Sequence, residues 1–386
     1  MVYNKELNVF TVGNYDNSAT FSGVPFYFIK ALENKGYNVH KVNIINSFIS
    51  GIYDKIITRI LNKIFKDSTY SYYRSRLCYF LSNRKIKKTC KRYSNSNYNI
   101  FTTFSFSSLK VSDIPVILFS DDTYEKLIFE TKERNPYYIE KYALKKERYN
   151  LENANIVISL FPELKEYIIK NYKRNKGTYF IGNALNFETI PALEPKKIIK
   201  QKLSNRNLLF IGRKYYLQGA ELLIKAFIIF NNNTKEKFQL HIIGLNESDV
   251  NFKDDFISYY GYLKKDVPEE FKKYIELIEK SRFFLNPTYG GGTYLTTLEV
   301  MYFYTPLIIY PHVELEKIFG EKLNEVGIIL EKESEESLAK KIRDAINDTD
   351  NWEKMALNAH NIVKDYSWNN FINSLEEKLT MDKINK

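Results

Sequence analysis

Cysteine is nearly absent from this chain: there are two in 386 residues, Cys78 and Cys90. They stand too far apart for a CxxC site and are too few for a secreted disulfide scaffold. Four histidines, with no HExxH and no Cys/His cluster, argue against structural zinc. No run of about 18 apolar residues occurs, so no membrane-spanning segment is expected. The opening MVYNKELNVF carries Lys5 and Glu6 where a signal peptide needs an apolar stretch. A reducing, cytoplasmic setting is the resulting expectation. Disorder is excluded by what is abundant: 44% of residues are hydrophobic, including 31 Tyr and 27 Phe, enough apolar surface to offset chain entropy.

At 386 residues the chain exceeds one ordinary core, and two or three domains are expected. The net charge of +11 is confined to one stretch. Between Lys55 and Arg92 there are 12 basic residues and one acid, Asp67, while the remainder balances 45 basic against 45 acidic residues. Isoleucine, leucine, phenylalanine and tyrosine interleave with those cations, as in IYDKIITRILNKIF. Residues 52–92 therefore read as a basic amphipathic insertion that suits an anionic membrane surface. A solvated helix face and a nucleic-acid patch are the alternatives.

Two series of alternating strands and helices run along the chain. In the first, Leu7–Gly13, Tyr37–Val42, Asn99–Phe104, Val116–Ser120, Asn155–Ser159 and Thr178–Ile181 read as strands. Helical patterns open at Ser22 and Pro25, at Tyr137 and at Pro162. Asn186–Arg206, with Pro191, Pro195 and mixed charge, reads as a linker without apolar period. The second series has strands Asn207–Ile211, Phe238–Ile243, Arg282–Leu285, Pro306–Tyr310 and Val326–Leu330, and helices from Gly219, from a capping box Asp266–Glu269 and from Thr293. The expected fold class is α/β: two doubly wound Rossmann-like domains facing across a cleft, with ligands at the carboxyl ends of strands. The expected organisation is an N-terminal domain 1–186 containing the 52–92 insertion, a linker 187–206, a C-terminal domain 207–366, and a final helix 367–386 returning to the first domain.

The most informative window is NPTYGGGTYLTTLEVMYFYTP, residues 286–306. Gly290, Gly291 and Gly292 lie between a strand and a helix. There a backbone without side chains can point N–H groups at a diphosphate, and the helix adds its positive end. A tight turn that binds nothing is the plain alternative. Glu299 is the only charge on an otherwise apolar helix, and a buried carboxylate needs a partner. A ribose diol would supply two donors, and an internal ion pair with an arginine such as Arg213 would serve instead. Gly212 ends a strand, and Arg213 follows it, suited to bidentate phosphate contact. In the first series Asp121 and Asp122 follow a strand and could orient or deprotonate an acceptor hydroxyl, or one of them could cap the next helix. Gly13 and Gly23 bracket the first strand–helix loop, and Gly23 would allow close backbone approach to sugar or acceptor.

These motifs resemble those of the retaining glycosyltransferase family 4 and its group 1 relatives. Gly212-Arg213 and Gly219 match the family's Gly-Arg and Lys-Gly elements. Pro287-Thr288, Gly292, Leu295 and Leu298-Glu299 match its Pro-Ser, Glu-Gly-Phe-Gly and Leu-Glu-Ala series. Gly261-Tyr262-Leu263 resembles the loop that contacts the base, and Tyr366-Ser367-Trp368 the closing helix. The N-terminal segments Ser22-Gly23-Val24 and Ser120-Asp121 resemble weaker family features.

The resemblance implies a GT-B enzyme that takes a nucleotide-diphosphate sugar as donor, without metal or other cofactor, and transfers the sugar with retention to a glycan, lipid-linked or protein acceptor. Arg213 would bind the diphosphate and Glu299 the ribose. Gly290–Thr293 would hold phosphate and sugar, with Gly244, Tyr262, Leu263, Tyr294 and Leu295 completing the donor site.

The sequence departs from the family at Gln218, where a lysine is usual, and at Gly291, where the first glutamate of Glu-x7-Glu stands. Thr293-Tyr294 replaces the family's Phe-Gly. Lys214 is the nearest candidate to replace the lysine. These departures keep open a catalytically altered protein that binds a nucleotide sugar or partners an active transferase. The basic segment keeps open a nucleic-acid-binding or nucleic-acid-modifying protein. The only Asp-x-Asp, Asp348-Thr349-Asp350, sits between two helical stretches and is expected to cap one rather than bind metal.

Overall fold

The computed structural model describes residues 5–18, 20–174, 176–187, 194–289 and 293–384. They divide into two units, residues 1–183 with 368–386, and residues 184–367. Each unit is built on one six-stranded, wholly parallel sheet with crossover helices.

The first sheet contains β1 (Glu6–Thr11), β2 (Asn38–Asn43), β3 (Tyr98–Phe101), β4 (Val116–Ser120), β5 (Ile156–Ser159) and β6 (Thr178–Phe180), in the order β2-β1-β3-β4-β5-β6. The strand order reverses at β1, so the crevice outside the carboxyl ends of β1 and β3 is the switch point. All five residues of β4 are buried, as befits a strand covered by helices on both faces. The helix Trp368–Ile384 belongs to this unit. Its Trp368 and Phe371 rings meet Phe28 at 6.1 and 6.0 Å, and its Glu376 accepts from Lys35 Nζ at 2.8 Å and Tyr37 Oη at 2.6 Å.

The 52–92 insertion is not one helix. It comprises helical Ser47–Tyr53, a π turn Asp54–Thr58, helix Arg59–Ile64, a short 3-10 turn Tyr72–Arg74 and a long helix Arg76–Arg92. Glu140, fully buried, anchors the connecting loop. It accepts from Thr69 N at 3.0 Å and Tyr137 N at 2.9 Å, and takes both terminal nitrogens of Arg134 at 2.8 Å. Burial works to raise its pKa, but these donors prevail and hold it at about 2.

The second sheet contains β7 (Asn207–Ile211), β8 (Gln239–Ile243), β9 (Ile257–Tyr259), β10 (Phe283–Asn286), β11 (Leu307–Ile309) and β12 (Gly327–Ile329), in the order β12-β11-β10-β7-β8-β9. Counted from β7, this is the 3-2-1-4-5-6 order of a dinucleotide-binding sheet, with its switch point between β7 and β10. Helix Leu217–Asn232 packs Ala220, Leu223, Ile224 and Phe227 into one core with Leu208 and Phe210 of β7.

Three local expectations are corrected here. The stretch read as a linker contains helix Pro195–Ser204, which lies in the second unit; residues 188–193 lie outside the described residues. Its period was obscured by Lys202, which is fully buried and donates to the Ile278 and Ser281 carbonyls and to Thr305 Oγ1. The Asp266–Glu269 capping box does not form: helix Pro268–Lys280 starts on proline after Val267, with no side-chain cap. Strand β9 had no counterpart in the pattern, because three residues are too few to show a period. Asp348 does cap a helix, its side chain accepting from Asn351 N at 3.2 Å.

Candidate functional site

In the second unit, glycines shape the carboxyl edge of the sheet. Gly212, after β7, donates from its N–H to Ile243 O at 2.9 Å; Gly244, after β8, donates to Gly261 O at 2.6 Å. A Cβ on Gly244 would stand 2.5 Å from Gly212 O, and its φ of +99° favours glycine. Across the switch point the approach is closer still. A Cβ on Gly219 would stand 2.1 Å from Thr288 Oγ1 and 2.7 Å from its backbone. The helix after β7 thus rests directly on the segment after β10, which unites the two sequence windows into one site.

Arg213 is exposed at the end of β7, its guanidinium stacked 4.2 Å from the centre of the Tyr262 ring. Leu263, beside it, is half-buried. Thr293 begins helix Tyr294–Tyr302, an N-cap position whose hydroxyl normally accepts from the first turn. It does not: Thr293 Oγ1 is buried and has no hydrogen-bond partner among the described residues. Tyr294 is buried with its ring 5.7 Å from His312, and Leu295 is half-buried. Gly290, Gly291 and Gly292 lie outside the described residues.

Lys214, the candidate to replace the charge missing at Gln218, is exposed, and its ammonium pairs with Asp249 Oδ1 at 2.7 Å. Glu299 is buried, at 2% exposure, but already partnered. Tyr274 Oη donates to Oε2 at 2.6 Å, and Lys265 Nζ bonds Oε1. The internal partner is therefore Lys265 rather than Arg213. Both oxygens keep accepting capacity, so the carboxylate is held in place without being used up. Lys265 and Tyr274 were the residues sequence reasoning missed. Lys265 lies three residues beyond Tyr262, and that proximity was the only available signal.

In the first unit the carboxyl edge is furnished by side chains. Glu147 and Asn150, one turn apart on helix Lys141–Asn153, are buried beneath the loops after β3 and β4. Glu147 accepts from Ser105 Oγ at 2.9 Å and Tyr124 N at 2.5 Å, and Asn150 bonds Phe104 O and Ser107 Oγ. Burial pushes the Glu147 carboxyl up to about 7.

Asp121 is exposed and bonds Ser120 Oγ at 3.3 Å. Asp122 accepts from Thr123 N at 2.8 Å, and burial pushes its carboxyl up to about 6. Neither caps the following helix; Thr123 does, accepting from Lys126 N at 3.1 Å. In the β1 loop Gly23 has φ +85°, and Phe21 and Ser22 before it also lie in the left-handed region, at +49° and +55°. Three such residues in succession mark a strained loop at the first sheet's switch point. No group of three or more Cys, His, Asp or Glu stands together as a metal site among the described residues.

Residues 194–362 match the family described as glycosyl transferases group 1. An uncharacterized glycosyltransferase of Methanocaldococcus jannaschii is 25% identical over 277 residues, covering 70% of this chain and 69% of the relative. The chain is a glycosyltransferase with a group 1 domain. Solved structures of low identity give the fold. The sucrose-phosphate synthase of Thermosynechococcus elongatus superposes with a TM-score of 0.63 at 14% identity, over 98% of this chain and 99% of that one. Anabaena HepE, solved with UDP-glucose, gives 0.62 at 13%, over 97% and 99%. WaaG, a glycosyltransferase of lipopolysaccharide biosynthesis, gives 0.60 at 12%, over 98% of each chain. The GT-B fold of this glycosyltransferase thus extends well beyond the 194–362 match.

Proposed function

We propose that this glycosyltransferase moves a sugar from a nucleoside diphosphate sugar to a hydroxyl of a glycan, lipid-linked or protein acceptor, with retention and without a metal ion. The observation that carries the reading is the β7–β10 switch point. There the Gly219 backbone lies against Thr288, the Arg213 guanidinium stands at one strand end, and a buried hydroxyl without a partner among the described residues, Thr293 Oγ1, starts the helix at the other. A helix N-terminus, a spare hydroxyl and an arginine suit a diphosphate. That HepE, a protein of the same fold, was solved with UDP and with UDP-glucose supports a nucleotide of this kind.

In this reading Arg213 and the helix end neutralise charge developing on the departing diphosphate. The acceptor hydroxyl attacks the anomeric carbon on the face the diphosphate leaves, and a diphosphate oxygen takes its proton, which preserves the anomeric configuration. Tyr262 and Leu263 contact the base, and Gly212 and Gly244 keep the strand ends low beneath it. Glu299, steadied by Lys265 and Tyr274, accepts the ribose hydroxyls. Gly290–Gly292, Tyr294 and Leu295 line the sugar. Asp121, Asp122 and the Gly23 loop serve the acceptor, Asp122 as the carboxylate that holds its hydroxyl.

A thermal-shift panel of UDP, GDP, ADP and CMP sugars tests the donor site. One class should raise the melting temperature of the wild type, and Arg213→Ala and Glu299→Ala should abolish the shift. Stabilisation by none of them would overturn the reading. Comparison of the product's anomeric configuration with the donor's by NMR tests retention.

A further inference from the structure

The insertion between β2 and β3 carries a surface the donor chemistry does not use. Along Ser47–Ile64, the residues Phe48, Ile52, Ile56, Ile60 and Ile64 recur at four-residue steps and are between 49 and 76% exposed. In an α-helix such a series slides around the axis by about 40° per step. The π turn Asp54–Thr58, with more residues per turn, takes back part of that drift. Large aliphatic side chains are thereby presented in a row on the outside. This row is not a misplaced core face, because the inner side is already packed and pinned. Thr58 is buried, and Asp54 accepts from Thr58 Oγ1 at 2.6 Å, Tyr72 N at 2.7 Å and Ser50 Oγ at 3.1 Å. Tyr53 meets Tyr72 ring to ring at 5.5 Å.

Cations flank the row. Lys55, Arg59, Lys63 and Lys66 are exposed, and none forms an ion pair among the described residues. Asp54, the only carboxylate on these turns, is spent on its inward bonds. Helix Arg76–Arg92 extends the same chemistry, with exposed Leu77 and with Phe80 under the Arg84 guanidinium at 4.3 Å.

We propose that this face docks on an anionic lipid bilayer, with the aliphatic row at the acyl boundary and the cations on headgroup phosphates. Charge decides among occupants. A second copy would bring the same strongly positive segment against itself, and nucleic acid would leave the aliphatic row in water. The proposal deepens the proposed function, resting on it only in making the acceptor lipid-borne.

The test is co-sedimentation of the full chain with vesicles of phosphatidylcholine, alone or with phosphatidylglycerol, at low and high salt. Binding should rise about tenfold or more with the anionic lipid and fall with salt. Ile56→Asp with Ile60→Asp, and separately Lys55→Glu with Arg59→Glu, should each reduce it about tenfold. Both should leave the melting temperature and any nucleotide-sugar shift unchanged. Equal or absent binding to the two vesicles would overturn the proposal. So would a wild-type dimer, seen by light scattering, that the isoleucine variant dissolves, or duplex DNA binding that survives where vesicle binding is absent. Vesicle binding without any nucleotide shift would break the donor reading and leave this one standing.

Discussion

The two units solve one problem by opposite means. Each must hold loops at the carboxyl edge of a parallel sheet close enough to form a site. The second unit does so by omitting side chains: Gly219 and Gly244 let backbones meet where a Cβ would collide, and Gly212 and Gly261 make room for the Phe210 and Asn246 side chains. The first unit fills the space, using Glu140, Glu147 and Asn150 to tie loops through charged and polar hydrogen bonds. At the glycine edge the Gly212 and Gly244 N–H groups bond the carbonyls of Ile243 and Gly261, whereas at the carboxylate edge the Tyr124 N–H is taken by the Glu147 side chain.

The contrast can be broken at several points, beginning with the largest effect. Glu140→Ala would leave the Arg134 guanidinium unpaired and should destabilise the first unit by roughly 3–5 kcal/mol in denaturant unfolding. Arg213→Ala should lower kcat by about 10²–10³-fold with stability unchanged, measured by sugar transfer or donor hydrolysis. Gly219→Ala should destabilise the second unit by about 1–3 kcal/mol, because the Thr288 backbone cannot easily give way.

The buried carboxylates also give the first unit a pH signature. Glu147 is raised from 4.5 to about 7 and Asp122 from 3.8 to about 6, so the folded state binds protons the unfolded chain has released. Stability should therefore fall as pH rises through that window, by about 3 kcal/mol from the buried Glu147 and by a smaller, solvent-screened amount from the half-buried Asp122. Glu147→Gln should flatten much of the slope. Glu140, held at about 2, has the opposite sign: its contribution is complete above pH 4.5 and is lost as pH falls toward 2.

The smallest and most discriminating test sets two threonines side by side. Thr123 caps a helix and Thr293 does not, though both stand at helix starts. Thr123→Ala should cost about 1 kcal/mol of stability. Thr293→Ala should cost almost none, yet weaken nucleotide-sugar binding, read as a smaller thermal shift.

Much of the fold was legible in the sequence because a parallel sheet covered on both faces needs apolar runs separated by helix-period segments. Val116–Ser120 and Asn207–Ile211 were visible for that reason. Helix Pro195–Ser204 was not, since its buried lysine is apolar only in its stem, while its ammonium is satisfied by carbonyls 76 and 79 residues away. The candidate site was legible at Gly212, Arg213, Gly219 and Glu299, positions where backbone freedom or an isolated charge breaks the local pattern.

The sequence alone determined that the chain alternates strand and helix twice, that its excess charge lies in one insertion, and that Glu299 is a buried charge. These are properties of spacing and composition, which act locally along the chain. Only the tertiary structure decided that strand order reverses between β7 and β10, that Gly219 meets Thr288, and that Lys265 and Tyr274 hold Glu299. Strand order and side-chain partners are settled by which surfaces pack together, and a lysine 34 residues from its glutamate leaves no local trace.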